Sequence, residues 1–208
     1  LMKNFIEIYD GALSKEKCKL IIDEFENTRM CEHDDDNKVD NVCKSVVERN
    51  FRGKKLKHSL DLTISFMKQN YNINQIIMSC LLKHVKLYTN LNPELKIFDK
   101  WGLSEIYNIQ KYEPNQAYFG NHFENNHAQN FKRIMVWMIY LNTVTDDGGT
   151  YFANYDKIIN ASEGKLVIWP AYWTHTHRGI PSSSQVKYIA TGWFDSDACF
   201  SFYPKFIK

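Results

Sequence analysis

Long apolar runs are missing. No stretch of the 208 residues approaches the roughly 20 consecutive apolar positions of a membrane-spanning helix. Lys3 to Asp10 is too short and too charged for a signal peptide. An excess of charge of one sign is missing as well: 26 Lys and Arg stand against 24 Asp and Glu, for a net charge of +2. No broad field therefore gathers nucleic acid or an anionic membrane. The basic run Lys54, Lys55 and Lys57 is answered nearby by Asp34, Asp35 and Asp36, and both read as solvated loops. Cysteines are few and unpatterned. Cys18, Cys31, Cys43, Cys80 and Cys199 are odd in number and show no C-x-x-C spacing. That argues against a zinc ribbon and a disulfide framework and favours a reducing compartment, so the chain reads as soluble and cytoplasmic. A single Cys31–Cys43 bridge stays open, though nothing in the sequence requires it.

What is present is core material. A hydrophobic fraction of 44% and an aromatic fraction of 14% belong to a folded globular protein, and the length suits one domain, residues 1–208. Phe5 to Tyr9 reads as a short strand. Ser14 offers a helix N-cap, and Cys18, Ile21, Ile22 and Phe25 follow at helical spacing, which predicts a helix over Lys15 to Glu26. Thr28 to Gly53 is polar and aperiodic and reads as a long loop. Leu60, Leu62, Ile64 and Phe66 alternate with polar residues, as in a strand. Ile73, Ile76, Ile77, Cys80, Leu81 and Val85 then share a helical face, so a helix runs from about Asn74 to Tyr88 and ends before Pro93.

From Ser104 onward the texture changes. Short apolar runs (Ile106 to Tyr112, Arg133 to Leu141, Lys165 to Trp169, Lys187 to Phe194) are separated by turn clusters such as Glu113-Pro114-Asn115 and Pro181 to Ser184. Regular short strands of this kind predict an antiparallel sandwich or barrel. Residues 1–100 then form an N-terminal helical support region, and 101–198 the catalytic β-core.

Four of the seven histidines, His122, His127, His175 and His177, lie in this β-rich half. In the extended segment His122-Phe123-Glu124, residues two apart point the same way, so an imidazole and a carboxylate can converge on one ion. A second histidine from a distant strand completes a set of two His and one carboxylate. That set leaves open positions on a non-haem iron(II) for a bidentate co-substrate and oxygen. His-x-Glu alone is weak evidence, and the bland alternative is a solvated loop. Downstream, however, Ile168-Trp169-Pro170-Ala171 leads into Trp173-Thr174-His175-Thr176-His177-Arg178-Gly179, and Lys187-Tyr188 begins ten residues past His177. A cation on the next strand suits the far carboxylate of a dicarboxylate whose 2-oxo acid end chelates the metal.

Taken in order, these motifs resemble the 2-oxoglutarate/Fe(II)-dependent oxygenase superfamily, in particular its prolyl 4-hydroxylase-like branch. The similarity runs from about Ile106 to Phe194. It includes Ile109-Gln110-Lys111-Tyr112-Glu113-Pro114, His122-Phe123-Glu124, Arg133, Tyr140-Leu141-Asn142 and Gly148-Gly149-Thr150-x-Phe152. Gly164 to Pro170, His177-Arg178-Gly179-Ile180-Pro181, Lys187-Tyr188 and Trp193 complete it. The resemblance implies a mainly β fold with α-helices, a double-stranded β-helix (jelly-roll) core flanked by N-terminal helices. It implies Fe(II) bound by His122, Glu124 and His177, with 2-oxoglutarate and O2 as co-substrates and ascorbate as reductant. Glu124 is a departure, since the family more often carries Asp there. His177 is preferred over its rival His175 because its spacing to Lys187 is the family's spacing. Lys187 then pairs with the C5 carboxylate of 2-oxoglutarate, Tyr140 hydrogen-bonds it, and Tyr112, Tyr118 and Trp193 line the pocket. The implied reaction couples decarboxylation of 2-oxoglutarate to succinate with hydroxylation of a substrate C–H bond, on a peptide or protein proline. The rivals are the same chemistry on a free amino acid or small metabolite, and a non-catalytic β-barrel binding protein.

Neighbouring residues carry blander expectations. Asn121, Asn125, Asn126 and His127 read as an Asn-rich loop, Gly148-Gly149 as a hairpin turn, and most other aromatics as core. Arg133 reads equally as structural or as a contact to ligand. Arg178 faces away from the metal.

Overall fold

The computed structural model describes residues 3–31, 43–67, 71–98, 100–198 and 200–201. In chain order these form β1 (Glu7–Tyr9), α1 (Lys15–Asn27), β2 (Lys44–Phe51), β3 (Lys54–Ser65), α2 (Tyr71–Leu91) and β4 (Gly102–Tyr112). There follow β5 (Arg133–Tyr140), β6 (Thr150–Phe152), β7 (Lys157–Ile159), β8 (Leu166–Pro170), β9 (His177–Gly179), β10 (Lys187–Asp195) and β11 (Phe200–Ser201).

Two sheets result. The larger runs β1-β8-β5-β10-β4-β3-β2, with β11 added beside β4; the smaller is β7-β6-β9. Every strand pair is antiparallel. Alternation along the large-sheet strands sends one set of side chains to each face. On one face Leu62, Ile64, Tyr107, Trp137, Ile139 and Ile168 pack against Ile21 and Phe25 of α1 and Ile77 and Leu81 of α2. Full burial of each such side chain contributes roughly 1.5–3 kcal/mol. On the other face Tyr112, Val136, Met138, Tyr140, Trp169 and Ile189 form a second core with Phe152 and Ile159 of the small sheet. Helices therefore plug one side, and the space between the sheets is left for chemistry.

The helices follow their sequence signals. Ser14 caps α1, its side chain accepting from the Lys17 amide at 3.4 Å. Cys18, Ile21 and Phe25 are the buried stripe of α1.

Two expectations need correction. The segment Thr28 to Gly53 is not one loop: Lys44–Phe51 is a strand paired with β3, and both extend the large sheet (residues 32–42 lie outside the described residues). The sequence hid this strand because β2 is the sheet's edge, and apart from Lys44 its side chains are intermediate or exposed. Lys57 is likewise no solvated loop residue. It lies within β3, only 3% exposed, and it pairs with Asp61; the acidic run at 34–36 lies outside the described residues. Cys31 and Cys43 are joined in a disulfide, the single bridge that the sequence left open. Among the described residues no helix is long and apolar enough to cross a membrane.

Candidate active site

The space between the sheets is a cavity of about 500 Å³. All eight residues singled out from the sequence line it: His122, Glu124, His177, Lys187, Tyr112, Tyr140, Tyr118 and Trp193.

His177 opens β9 and pairs across the small sheet with Phe152 of β6. The extended segment holding His122 docks beside it through two reciprocal backbone hydrogen bonds, each 2.9 Å, between His122 and His177. Two residues on, the Glu124 amide donates to the Ala171 carbonyl at 3.0 Å. Three ligand-bearing side chains are thus brought together by backbone pairing. One potential ligand atom from each lies within 4.8 Å of the others.

The orientation of each group follows from its second contact. The Nδ1 of His122 meets the Gly120 carbonyl at 2.9 Å, and the Nδ1 of His177 meets the His175 carbonyl at 2.9 Å. A carbonyl only accepts, so both Nδ1 atoms carry a proton and Nε2 is the atom of each ring left to face inward. Those Nε2 atoms stand 3.4 and 3.8 Å from Glu124 Oε1. Glu124 Oε2 is held from behind, accepting from the Trp193 indole at 2.9 Å and approached by Arg133 at 3.4 Å.

Protonation states agree with this geometry. Burial pushes Glu124 upward, but the His122 hydrogen bond and the charges of His122, His177 and Arg133 prevail and lower it to about 2. Burial, aided by His122, lowers His177 to about 3. At neutral pH the set is one carboxylate and a neutral His177, the protonation state a divalent cation needs. Two imidazoles and one carboxylate fit iron(II) with positions left over for other ligands. Aromatic rings close the sides: Tyr118 stacks on His122 with centroids 3.6 Å apart, and Trp169 meets His177 edge-on at 5.1 Å.

His175, the rival histidine, is placed differently. It sits in a single 3-10 turn, its Nε2 facing the Asn4 carbonyl at 2.7 Å, and it does not line the cavity. Arg178 points the other way, over the Tyr151 ring.

Deeper between the sheets, Lys187 at the start of β10 is 4% exposed. Its ammonium donates to the carbonyls of Gly148 at 2.9 Å and Ile180 at 3.2 Å and lies 5.0 Å from the Tyr112 ring centre. No carboxylate among the described residues pairs with it, and burial lowers it to about 8. A buried cation without a counter-ion is costly, and an anionic ligand supplies what the fold leaves out. Gly148 is part of this arrangement: its φ of +69° turns the chain between the sheets and aims its carbonyl at the lysine. The Tyr140 hydroxyl lies 2.7 Å from Thr150 Oγ1 and also donates to the Ile159 carbonyl at 3.2 Å.

Sequence reasoning left several cavity residues without a role. Thr150 lay inside a quoted motif, and its partnership with Tyr140 gives it one. Arg133 resolves as a contact to Glu124. Lys57, Asp61 and Gln110 form a buried network on the cavity wall. Lys57 donates to Asp61 at 2.6 Å, Ser59 to Asp61 at 2.6 Å, Gln110 to Asp61 at 3.0 Å and Tyr112 to Gln110 at 2.8 Å. The signal was present as the polar half of the alternation in β3, but polar alternation ordinarily marks a face turned to bulk water.

Comparison with known proteins follows the same lines. Residues 107–195 match the 2OG-Fe(II) oxygenase superfamily. A protein of Acanthamoeba polyphaga mimivirus described as a prolyl 4-hydroxylase is 31% identical over 108 residues, covering 44% of this chain and 45% of the relative. The chain thus matches less than half the length of that relative. Among solved structures, the viral collagen prolyl hydroxylase of Paramecium bursaria Chlorella virus-1 superposes with a TM-score of 0.58 at 18% identity, covering 91% of this chain and 95% of the other. A Pseudomonas putida prolyl-4-hydroxylase gives 0.62 at 16% identity, covering 93% of each. A Trichoplax adhaerens prolyl hydroxylase, solved with a hypoxia inducible factor peptide fragment, gives 0.62 at 14% identity, covering 94% and 85%. Residues 107–195, less than half of the chain, are thus similar to the 2OG-Fe(II) oxygenase superfamily, and the chain shares the double-stranded β-helix fold of these prolyl hydroxylases.

Proposed function

We propose that the protein is an Fe(II)- and 2-oxoglutarate-dependent dioxygenase of the prolyl 4-hydroxylase type, acting on a proline within a peptide or protein. One observation carries this reading: the inward-facing His122, Glu124 and His177 share a single cavity with Lys187, a buried cation that lacks a carboxylate. A metal clip alone would not need that lysine.

In this reading His122, Glu124 and His177 hold the iron. Bound there with 2-oxoglutarate and O2, it supplies oxidative decarboxylation coupled to hydroxylation, converting substrate C–H, 2-oxoglutarate and O2 into substrate C–OH, succinate and carbon dioxide. The chain's own contribution is positional. Lys187 pairs with the distal carboxylate, with Tyr140 and Thr150 beside it. Trp193 and Arg133 fix the rotamer of Glu124, and Tyr118 supports the ring of His122. Trp169, Phe152 and Val136 keep water from the reacting centre. Ascorbate would be the external reductant for this chemistry. The cytoplasmic expectation and the Cys31–Cys43 bond pull in opposite directions, because cytosolic thiols are normally kept reduced.

Purified protein given iron(II), ascorbate, 2-oxoglutarate and a proline-containing peptide library tests the proposal. Succinate release with a gain of one oxygen on proline is the expected result. Stoichiometric 2-oxoglutarate binding with no succinate under any condition would instead make this a binding protein on an oxygenase fold.

A further inference from the structure

The outer end of the cavity contains a cation that the proposed reaction does not use. β2 alternates, with Ser45, Val47 and Arg49 lining the cavity while Glu48 pairs with His58 on the opposite face. Arg49 stands directly across from Lys57 in the β2–β3 ladder. Both cations flank Tyr118: the Lys57 ammonium is 5.8 Å from the ring centre, and the positive charge of Arg49 is near enough to act on the same phenol. Tyr118 in turn stacks on the ligand histidine His122. Arg49 therefore borders the approach to the metal, although it belongs to an edge strand of the large sheet.

The charges around the cavity do not cancel. Its two carboxylates, Asp61 and Glu124, are already answered by Lys57 at 2.6 Å and Arg133 at 3.4 Å. Two cations remain. Lys187 is occupied by the co-substrate if the proposed function holds. Arg49 has no carboxylate in ion-pair range among the described residues, and a neighbouring ammonium adds to its field. A cationic substrate group would be repelled here, whereas a carboxylate would find a planar guanidinium with several free N–H donors.

We infer that Arg49 is a specificity-determining residue that recognises a carboxylate on the substrate, close to the position hydroxylated. This rests on the proposed dioxygenase reading for what happens next, but not for the binding itself. The carboxylate has two sources: an acidic side chain beside the target proline, or the α-carboxylate of a free amino acid.

Binding is measured without turnover, on iron(II)- and 2-oxoglutarate-loaded protein under anaerobic conditions, by fluorescence anisotropy. The probes are capped proline peptides that differ only in Glu or Gln next to proline, with free proline as competitor. The Glu peptide should bind about fivefold to tenfold more tightly than the Gln peptide, a difference that shrinks as salt rises. Arg49→Gln should abolish that ratio, and Arg49→Glu should turn the preference towards a Lys peptide. If instead only free proline competes, and does so through Arg49, the carboxylate is the amino acid's own. A Glu-to-Gln ratio and a free-proline affinity both unchanged in Arg49→Gln would overturn the inference. The hydroxylase reading is judged separately, by whether wild-type protein forms succinate in air. Arg49 is exposed, so its replacement does not put folding at risk.

Discussion

The indole N–H of Trp193 donates to Oε2 of Glu124 at 2.9 Å, while the Arg133 guanidinium lies 3.5 Å from the centre of the same indole ring. One aromatic residue thus orients the Glu124 carboxylate and seats the cation that neutralises it. Glu needs such a restraint more than a shorter Asp would, because it has one more rotatable bond to fix.

Trp193→Phe keeps the ring but removes the donor. We expect metal affinity to fall about tenfold, within the range for loss of a group that orients a ligand. Titration with cobalt(II), followed by its visible absorption, measures this. Unchanged affinity would mean that Arg133 alone holds the carboxylate.

The two nearby histidines should part company. His177→Ala should remove measurable metal binding, whereas His175→Ala should retain it and lose stability instead, since His175 ties the chain to the Asn4 carbonyl. Metal titration alongside thermal unfolding separates the two effects.

Lys187 gives a pH signature. Its folded-state value is lowered to about 8 by burial, so the free protein holds the cation below that pH and loses it above. Affinity for 2-oxoglutarate should be full below about pH 8 and should decline above it, with a later transition in the complex because the bound dicarboxylate favours the charged lysine. Lys187→Ala should weaken binding and flatten that pH dependence. Calorimetric titration of 2-oxoglutarate from pH 6.5 to 9.5 checks both.

Asp61 is a test of the wall. Asp61→Ala leaves Lys57 buried without its partner, a change that costs about 3–5 kcal/mol. Replacing both, as Lys57→Met with Asp61→Leu, should recover most of that loss in denaturant unfolding.

How much of this was legible depended on what each residue's neighbours are. His122, Glu124, Lys187 and the four β-core runs were readable because ligand spacing and alternation are local in sequence. The helices announced themselves through Ser14 and the stripe of Cys18, Ile21 and Phe25. The β2 strand was not readable. Its residues are largely exposed, and their partner strand defines them, so no apolar period marks them. For the same reason Lys57 and Asp61 looked like surface charges: burial of a polar face by a cavity leaves no trace in the pattern. The placement of His175, in a 3-10 turn against a distant carbonyl at Asn4, has no sequence signal either.

The reciprocal hydrogen bonds between His122 and His177 tie together backbone segments remote in sequence. An ion held by those two side chains would act as a cross-link closing the intervening loop, restricting the unfolded chain more than the folded one. Metal loading should then change the mechanical and proteolytic resistance of everything between them, including β5 to β8, and not only the few residues that touch the ion. If iron(II) is that ion, the iron-free protein would be the looser form and the more readily degraded one.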